Sequence, residues 1–245
     1  PANGRANHIQ SNADARIVWV RNMFDDWDRQ NPLEVAIKRT GGPEASRQRT
    51  RDDRIQHAME AMEGGCDVLL ELLHGGFGGT DKSNTVTTPF RRGGGWGYAA
   101  RGNFKMADDE ALLLTIMAAE GGYLGIQLAS PWLVSCNSVN ASGSLNNAQA
   151  KANPDGSYTY VICVKDPGIH NWLNPAGLHE GEIFVRWSTL PDAADKVVRE
   201  VKLLKLDQLS GMLPADVAKV TPAQRAEINR KRGISYARRY MPQQA

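Results

Sequence analysis

The residues with the plainest chemical capacity fall between positions 166 and 187: Asp166, His170, His179, Glu180 and Arg186. An imidazole oriented by a carboxylate can take and return a proton near neutral pH, so His170 with Asp166 or Glu180 is the candidate acid–base set. The two imidazoles and Glu180 are also metal-ligating types, but ligation needs them to converge within about 2.0–2.2 Å of one ion. The order His170-x8-His179-Glu180 matches no helical or knuckle-type zinc spacing, so no metal site is expected. A third reading leaves both histidines as exposed loop residues without a chemical duty. Nucleophilic catalysis finds little support: Cys136 lies in Ser135-Cys136-Asn137, yet no Gly-x-Ser-x-Gly elbow occurs and no histidine has a triad-like spacing. Cys163, among Tyr160, Ile162 and Val164, reads as core. The glycine run after His74 matches neither the dinucleotide nor the nucleotide-phosphate fingerprint, so the residues name no cofactor.

A binding role draws on other side chains. Asn171 and Trp172 follow His170 directly, and Trp172 offers a broad apolar face with a single N–H donor. Trp96, Tyr98, Trp132 and Trp172 could gather at one end of the fold, with Arg101, Gln127, Asn146 and Arg186 as polar anchors. Aromatic walls with a few convergent polar groups are what small-ligand sites use. The competing account is structural: Pro167-Gly168 turns the chain, Asn171 and Asn174 hydrogen-bond nearby backbone, and Asn171, Trp172 and Arg186 lock the loop onto a sheet. Both accounts stand at this point.

These residues need elements to hold them. Ile17, Val20, Phe24 and Trp27 recur at helical spacing from about residue 14, and a second amphipathic helix fits residues 53–73 with Ile55, Met59, Met62, Cys66, Leu69, Leu70 and Leu73 inward. Breaks fall at Asn31-Pro32 and Gly41-Gly42-Pro43, and the arginine-rich stretch 44–54 reads as a solvated linker or helix start. After Thr80 the period becomes two. Strands are expected over 85–90, 110–119, 123–128, 158–164, 182–190 and 197–204, with a glycine-kinked hairpin at 93–98 and a second hairpin turning at Asn153-Pro154-Asp155-Gly156. In the strand holding Arg186, Glu182 shares its face, while Ile183, Val185 and Trp187 share the other. Thr221-Pro222-Ala223-Gln224 starts a basic C-terminal helix, expected to lie on the surface and pack through Ile228, Ile234 and Tyr240. The expected fold is α+β: a polar N-terminal arm with helices over 1–79, then a jelly-roll-like antiparallel β-sandwich with the basic helix over 80–245.

Residues 166–187 also carry a family likeness. Asp166-Pro167-Gly168, Asn171-Trp172-Leu173-Asn174, Gly177 and a glycine-led strand ending in Arg186-Trp187 resemble the bacterial domain-of-unknown-function family 1214, often found beside the companion domain 1254. The likeness extends through Asp109-Glu110-Ala111-Leu112, Gln127-Leu128, Pro131-Trp132, Ser144-Leu145-Asn146-Asn147-Ala148-Gln149, Leu213-Pro214-Ala215-Asp216 and Thr221-Pro222-Ala223, about residues 80–240 in all. It implies a jelly-roll-like sandwich and no assigned reaction. Asn174 stands where that family usually has aspartate, which puts any role of that carboxylate in doubt here.

The totals narrow the function classes. A net charge of +2 over 245 residues is too small to point to a nucleic-acid partner. No stretch reaches the roughly 20 apolar residues of a membrane span. Three scattered cysteines argue against a disulfide scaffold and favour a reducing, cytoplasmic setting. The first residues show neither a signal core nor an initiator methionine, so the chain reads as a processed or partial product, with export before cleavage left open. The first expectation is a self-associating domain that binds a small organic or glycan-like ligand through His170, Asn171, Trp172 and Arg186, with Trp132, Asn146 and Arg101 as further contacts. The alternatives are a lyase or hydrolase for a lipophilic or cyclic metabolite, with His170 as acid–base, and a structural protomer of an assembly.

Overall fold

A computed structural model describes residues 8–11, 18–31, 33–38, 50–71, 83–119, 122–190 and 196–240. The architecture is α+β, with two mostly antiparallel sheets. The strands are β1 (Phe90–Arg91), β2 (Tyr98–Lys105), β3 (Glu110–Met117), β4 (Leu124–Ala129), β5 (Ser144–Asn146), β6 (Ser157–Ile162), β7 (Trp172–Leu173), β8 (Glu180–Trp187) and β9 (Val198–Lys205). One sheet has five strands in the order β1-β2-β8-β4-β5; the other has four, β7-β6-β3-β9, with β7 parallel to β6. Among the described residues three α-helices accompany them: α1 (Arg51–Glu71), α2 (Leu209–Met212) and α3 (Pro222–Tyr240).

The main core lies between the sheets. In the five-stranded sheet, Ala100, Val185, Ile126 and Leu145 stand in register on the inner face. They join one buried cluster with Leu112, Leu114, Ile116, Tyr160 and Ile162 of the other sheet. Alternation sends the next residues outward, so Arg186, Gly125 and Asn146 form one row and Phe184, Gln127 and Ser144 another. The four-stranded sheet is apolar on both faces: Leu113, Val161, Cys163 and Trp172 bury against Leu204, Leu209 and Ile169 in a second cluster. That explains the continuous run Ala111-Leu112-Leu113-Leu114, which alternates only weakly because both of its sides are buried.

Several local expectations are met. β1 and β2 form the glycine-kinked hairpin. The capping box of α3 closes reciprocally: the Gln224 N–H donates to Thr221 Oγ1 (3.2 Å) and the Thr221 N–H to Gln224 Oε1 (2.8 Å). Others are corrected. Residues 18–31 are not helical; the chain there is irregular with a turn near Asp26–Arg29, held by Asp26 accepting the Asp28 and Arg29 N–H groups. The turn at 153–156 forms, with the Gly156 N–H on the Asn153 carbonyl, but residues 148–152 add no strand to it, because β6 finds its partners in β3 and β7. The helix expected over 53–73 is α1, yet Ile55, Met59 and Met62 are exposed instead of inward. On α3, Ile228 turns toward the sheet while Ile234 is exposed. The expectations at 1–7, 12–17, 39–49 and 72–80, including Ile17, Leu73 and the glycine run, lie outside the described residues, as does the side chain of Tyr240. Among the described residues no helix is long and apolar enough to cross a membrane.

Candidate functional site

The outer face of the five-stranded sheet carries a large hollow, wider than the shallower one of about 450 Å³ beside Leu113, Thr159 and Arg199 on the four-stranded sheet. Over the five-stranded sheet α3 and residues 24–28 stand off the strands and enclose a recess of about 630 Å³. Its floor is Arg186, Gly125, Asn146, Phe184 and Gln127; Tyr123 and Trp27 form walls, and α3 contributes Arg225, Ile228, Arg232 and Ser235. Gly125 is required by a close approach: a Cβ there would sit 2.4 Å from the Tyr123 hydroxyl and 2.8 Å from its ring. Bare backbone at 125 thus lets the Tyr123 ring lie across the sheet. Asn146 ties the wall to the floor, accepting the Gln149 N–H at 2.9 Å and donating to the Asp25 carbonyl at 2.9 Å. Ser235 anchors the same wall through Asp28, and Arg238 donates to the Trp27 and Asp28 carbonyls.

His170 and Arg186, the two residues on which the sequence reading turned, line this one recess. The His170 Nε2 lies 3.1 Å from the Gln149 carbonyl. A carbonyl only accepts, so Nε2 carries the proton and Nδ1 keeps its lone pair. Burial first, and the nearby Arg225 and Lys151 charges next, hold the imidazole below its ordinary range, favouring the neutral ring. Arg186 donates to the Val185 carbonyl (3.2 Å) and lies 5.5 Å from the Phe184 ring centroid. Burial, with Arg92, Arg101 and Arg21 nearby, pushes it down to about 10. Arg232 is likewise pushed down to about 10 by burial; its Nη2 donates to the Ser138 and Ser144 carbonyls, while its Nε is buried without a partner.

The other expected site residues go elsewhere. Asp166 pairs with Arg225 at 2.9 Å, and Glu180 reaches Lys105 at 3.5 Å, so neither orients His170 and the acid–base set does not assemble. His179 bonds Asp108 at 2.9 Å, away from His170, and among the described residues no group of three or more candidate ligands is placed to hold a metal ion. Asn171 is spent on structure: its carbonyl oxygen accepts the Lys151 N–H, and its amide donates to the Lys151 and Thr159 carbonyls. Trp172 is buried, donates to the Cys163 carbonyl at 2.9 Å, and carries the Arg225 guanidinium 5.2 Å from its ring centroid. Trp132 is 67% exposed on a loop. Arg101 lies on the outer face near Phe90 and Phe184, outside the recess lining. The expected cluster of Trp96, Tyr98, Trp132 and Trp172 does not form: Trp96 sits between Arg21 and Arg92, and Tyr98 packs on the core.

Arg225, Arg232, Tyr123 and Trp27 are the lining residues that sequence reasoning missed. A signal existed for the helix: Arg225, Ile228, Arg232 and Ser235 recur at three, four and three, which is one helical face. A row that mixes guanidiniums with an isoleucine reads as solvated unless the surface it meets is known to be polar.

No protein-family model matches the chain, and no curated protein is similar to it. Among solved structures, an uncharacterised protein from Burkholderia cenocepacia is similar at 28% identity over 45% of this chain and 30% of its own, with a TM-score of 0.39. A protein from Vibrio parahaemolyticus is similar at 15% identity over 65% of this chain and 46% of its own, with a TM-score of 0.34. The chain therefore spans less than half the length of either.

Proposed function

We propose that this chain binds a small organic ligand, ring-bearing or glycan-like, in the recess over the five-stranded sheet. The carrying observation is the recess itself: about 630 Å³, within the size range of small-molecule sites, with a polar floor and aromatic walls. A binding role is better supported than a lyase or hydrolase role, because His170 lacks the carboxylate that would orient it. The family-1214 resemblance is kept as part of this proposal and rests on the ordered motifs between Asp109 and Ala223. The test is an NMR titration with neutral and anionic ring compounds. Resonance shifts confined to the Trp27 indole N–H, Gly125 and Gln127 are expected, with loss of those shifts in Ala148→Trp, which fills the rim. Shifts scattered over other surfaces, or none at all, would remove the proposal.

The self-association reading has its own observation in α1. Every described side chain of this helix is exposed, and Ile55, Met59, Met62 and Cys66 follow one another at four, three and four, the spacing of a coiled-coil seam. A helix of 21 residues carrying Gly64-Gly65 is marginal alone in water, so an apolar face of this kind calls for a partner, and the seam fits a second copy of itself. Sedimentation should show a concentration-dependent dimer that Met59→Glu disperses and that mild oxidation traps through Cys66. A monomer at every concentration would defeat this reading.

A further inference from the structure

Two of the four Arg and Lys side chains that line the recess are matched. Arg225 pairs with Asp166, and Lys231 reaches Glu227 at 3.7 Å. Arg186 and Arg232 differ: both line the recess, and among the described residues neither has a carboxylate within ion-pair distance. A guanidinium has five N–H donors in a planar fork. Arg232 places two of its hydrogen bonds on backbone carbonyls of 138 and 144 and keeps Nε buried and unpaired. Arg186 has one backbone acceptor and a ring beneath it. Positive charge taken partly out of water without a counter-charge is costly, so each of these two guanidiniums favours an anionic partner.

The acids at the mouth lie beyond ion-pair distance of both guanidiniums. Asp28 accepts from Ser235, Asp26 accepts the Asp28 and Arg29 N–H groups, and Asp25 accepts the Asp26 N–H. Their carboxylates are engaged in shaping the rim, and their charge there repels a multiply charged visitor more than a singly charged one. The walls are rings, Trp27, Tyr123 and Tyr236, over Phe184 on the floor.

We propose that the ligand of this recess is a ring-bearing organic monocarboxylate, its carboxylate held by Arg186 on the sheet and Arg232 on α3 and its ring lodged among Trp27, Tyr123 and Tyr236. This rests on the ligand-binding reading above. Charge-assisted bonds from two guanidiniums suit the two oxygens of one carboxylate, and a phosphate dianion would meet the acidic rim with twice the charge.

The probes are 2-naphthoate, the neutral 2-naphthamide of the same shape, and inorganic phosphate, measured by calorimetry on the full chain. Naphthoate is expected to bind at least about tenfold more tightly than the amide, the scale of one charge-assisted pair. Arg186→Gln and Arg232→Gln should each erase that preference by weakening naphthoate binding far more than amide binding. Melting curves accompany each variant, and Arg232→Lys, which keeps the charge but loses the fork, should fall between the two if Arg232→Gln is poorly folded. Equal binding of acid and amide would overturn the carboxylate assignment while leaving the recess as a ligand site. Phosphate competing with naphthoate at similar affinity would overturn it in favour of a general oxyanion site. Failure of both ring compounds to bind would overturn the ligand-binding reading together with this one.

Discussion

Gly125 and Asn171 show how single residues divide between shaping the recess and holding the fold. At 125 a side chain would collide with Tyr123, so Gly125→Val should destabilise the protein by about 1–3 kcal/mol, the usual cost of overpacking. Removing the ring as well should recover part of that loss. The Gly125→Val, Tyr123→Ala pair is therefore expected to be less than additive in urea denaturation, and strict additivity would mean that the ring does not lie over the glycine. Asn171 is 3% exposed, and its amide nitrogen faces two backbone carbonyls. Asn171→Asp replaces that donor with an acceptor and should cost on the order of 3 kcal/mol or more. If Asn171 is a lock and not a contact, ligand affinity per folded molecule stays unchanged.

At the scale of elements, α3 carries the argument. Its cap, its Arg225 anchor and its recess-facing residues are successive parts of one helix, so the position of Arg232 depends on how firmly the first turn is fixed. Thr221→Ala removes one side of the capping box and should lower stability by about 1 kcal/mol, read from the thermal midpoint. Arg225→Met should do more. Arg225 is 6% exposed and serves Asp166 together with the Ile169 and His170 carbonyls, so its loss is expected to cost about 2–3 kcal/mol and to loosen the loop that presents His170. Denaturant titration checks both, and an Arg225→Met protein as stable as the parent would mean that α3 is not tied to that loop. The contrast with α1 is instructive. Both helices have periodic patterns, but α3 meets a polar sheet face through guanidiniums while α1 keeps its apolar seam in solvent.

For the molecule as a whole, His170 sets a stability dependence on pH. Its folded-state value is depressed, so below the unfolded value of about 6.5 the unfolded chain binds a proton that the folded one resists. Stability from this group is present above about pH 6.5 and falls as the pH drops toward the folded-state value. Urea midpoints should decline between about pH 7 and 5, and His170→Asn should flatten that slope; an unchanged slope would assign the effect to other groups. Much of the sandwich could be read along the chain. Alternation in 182–187, the glycine hairpin before Tyr98 and the cap at Thr221 are determined by neighbours two to four residues away, and those local patterns set which residues face in or out. The site could not be read the same way. Trp172 and Asn171 carried the most conspicuous side chains and went into the fold, because a buried indole and a buried amide satisfy backbone groups that no water can reach. Arg186, Asn146 and His170 were legible as polar residues, but their meeting with Arg232 and Tyr123 joins residues up to 109 positions apart (232 − 123). Sequence by itself determined β3, β4, β6, β8, β9 and the start of the last helix, since these follow from local periodicity and capping. Strands β2, β5 and β7 were not legible, and the strand expected over 85–90 shrank to β1. Only the tertiary structure decided that the outer face of one sheet is hollow and holds two guanidiniums without a paired carboxylate, because that depends on how closely a distant helix packs against it.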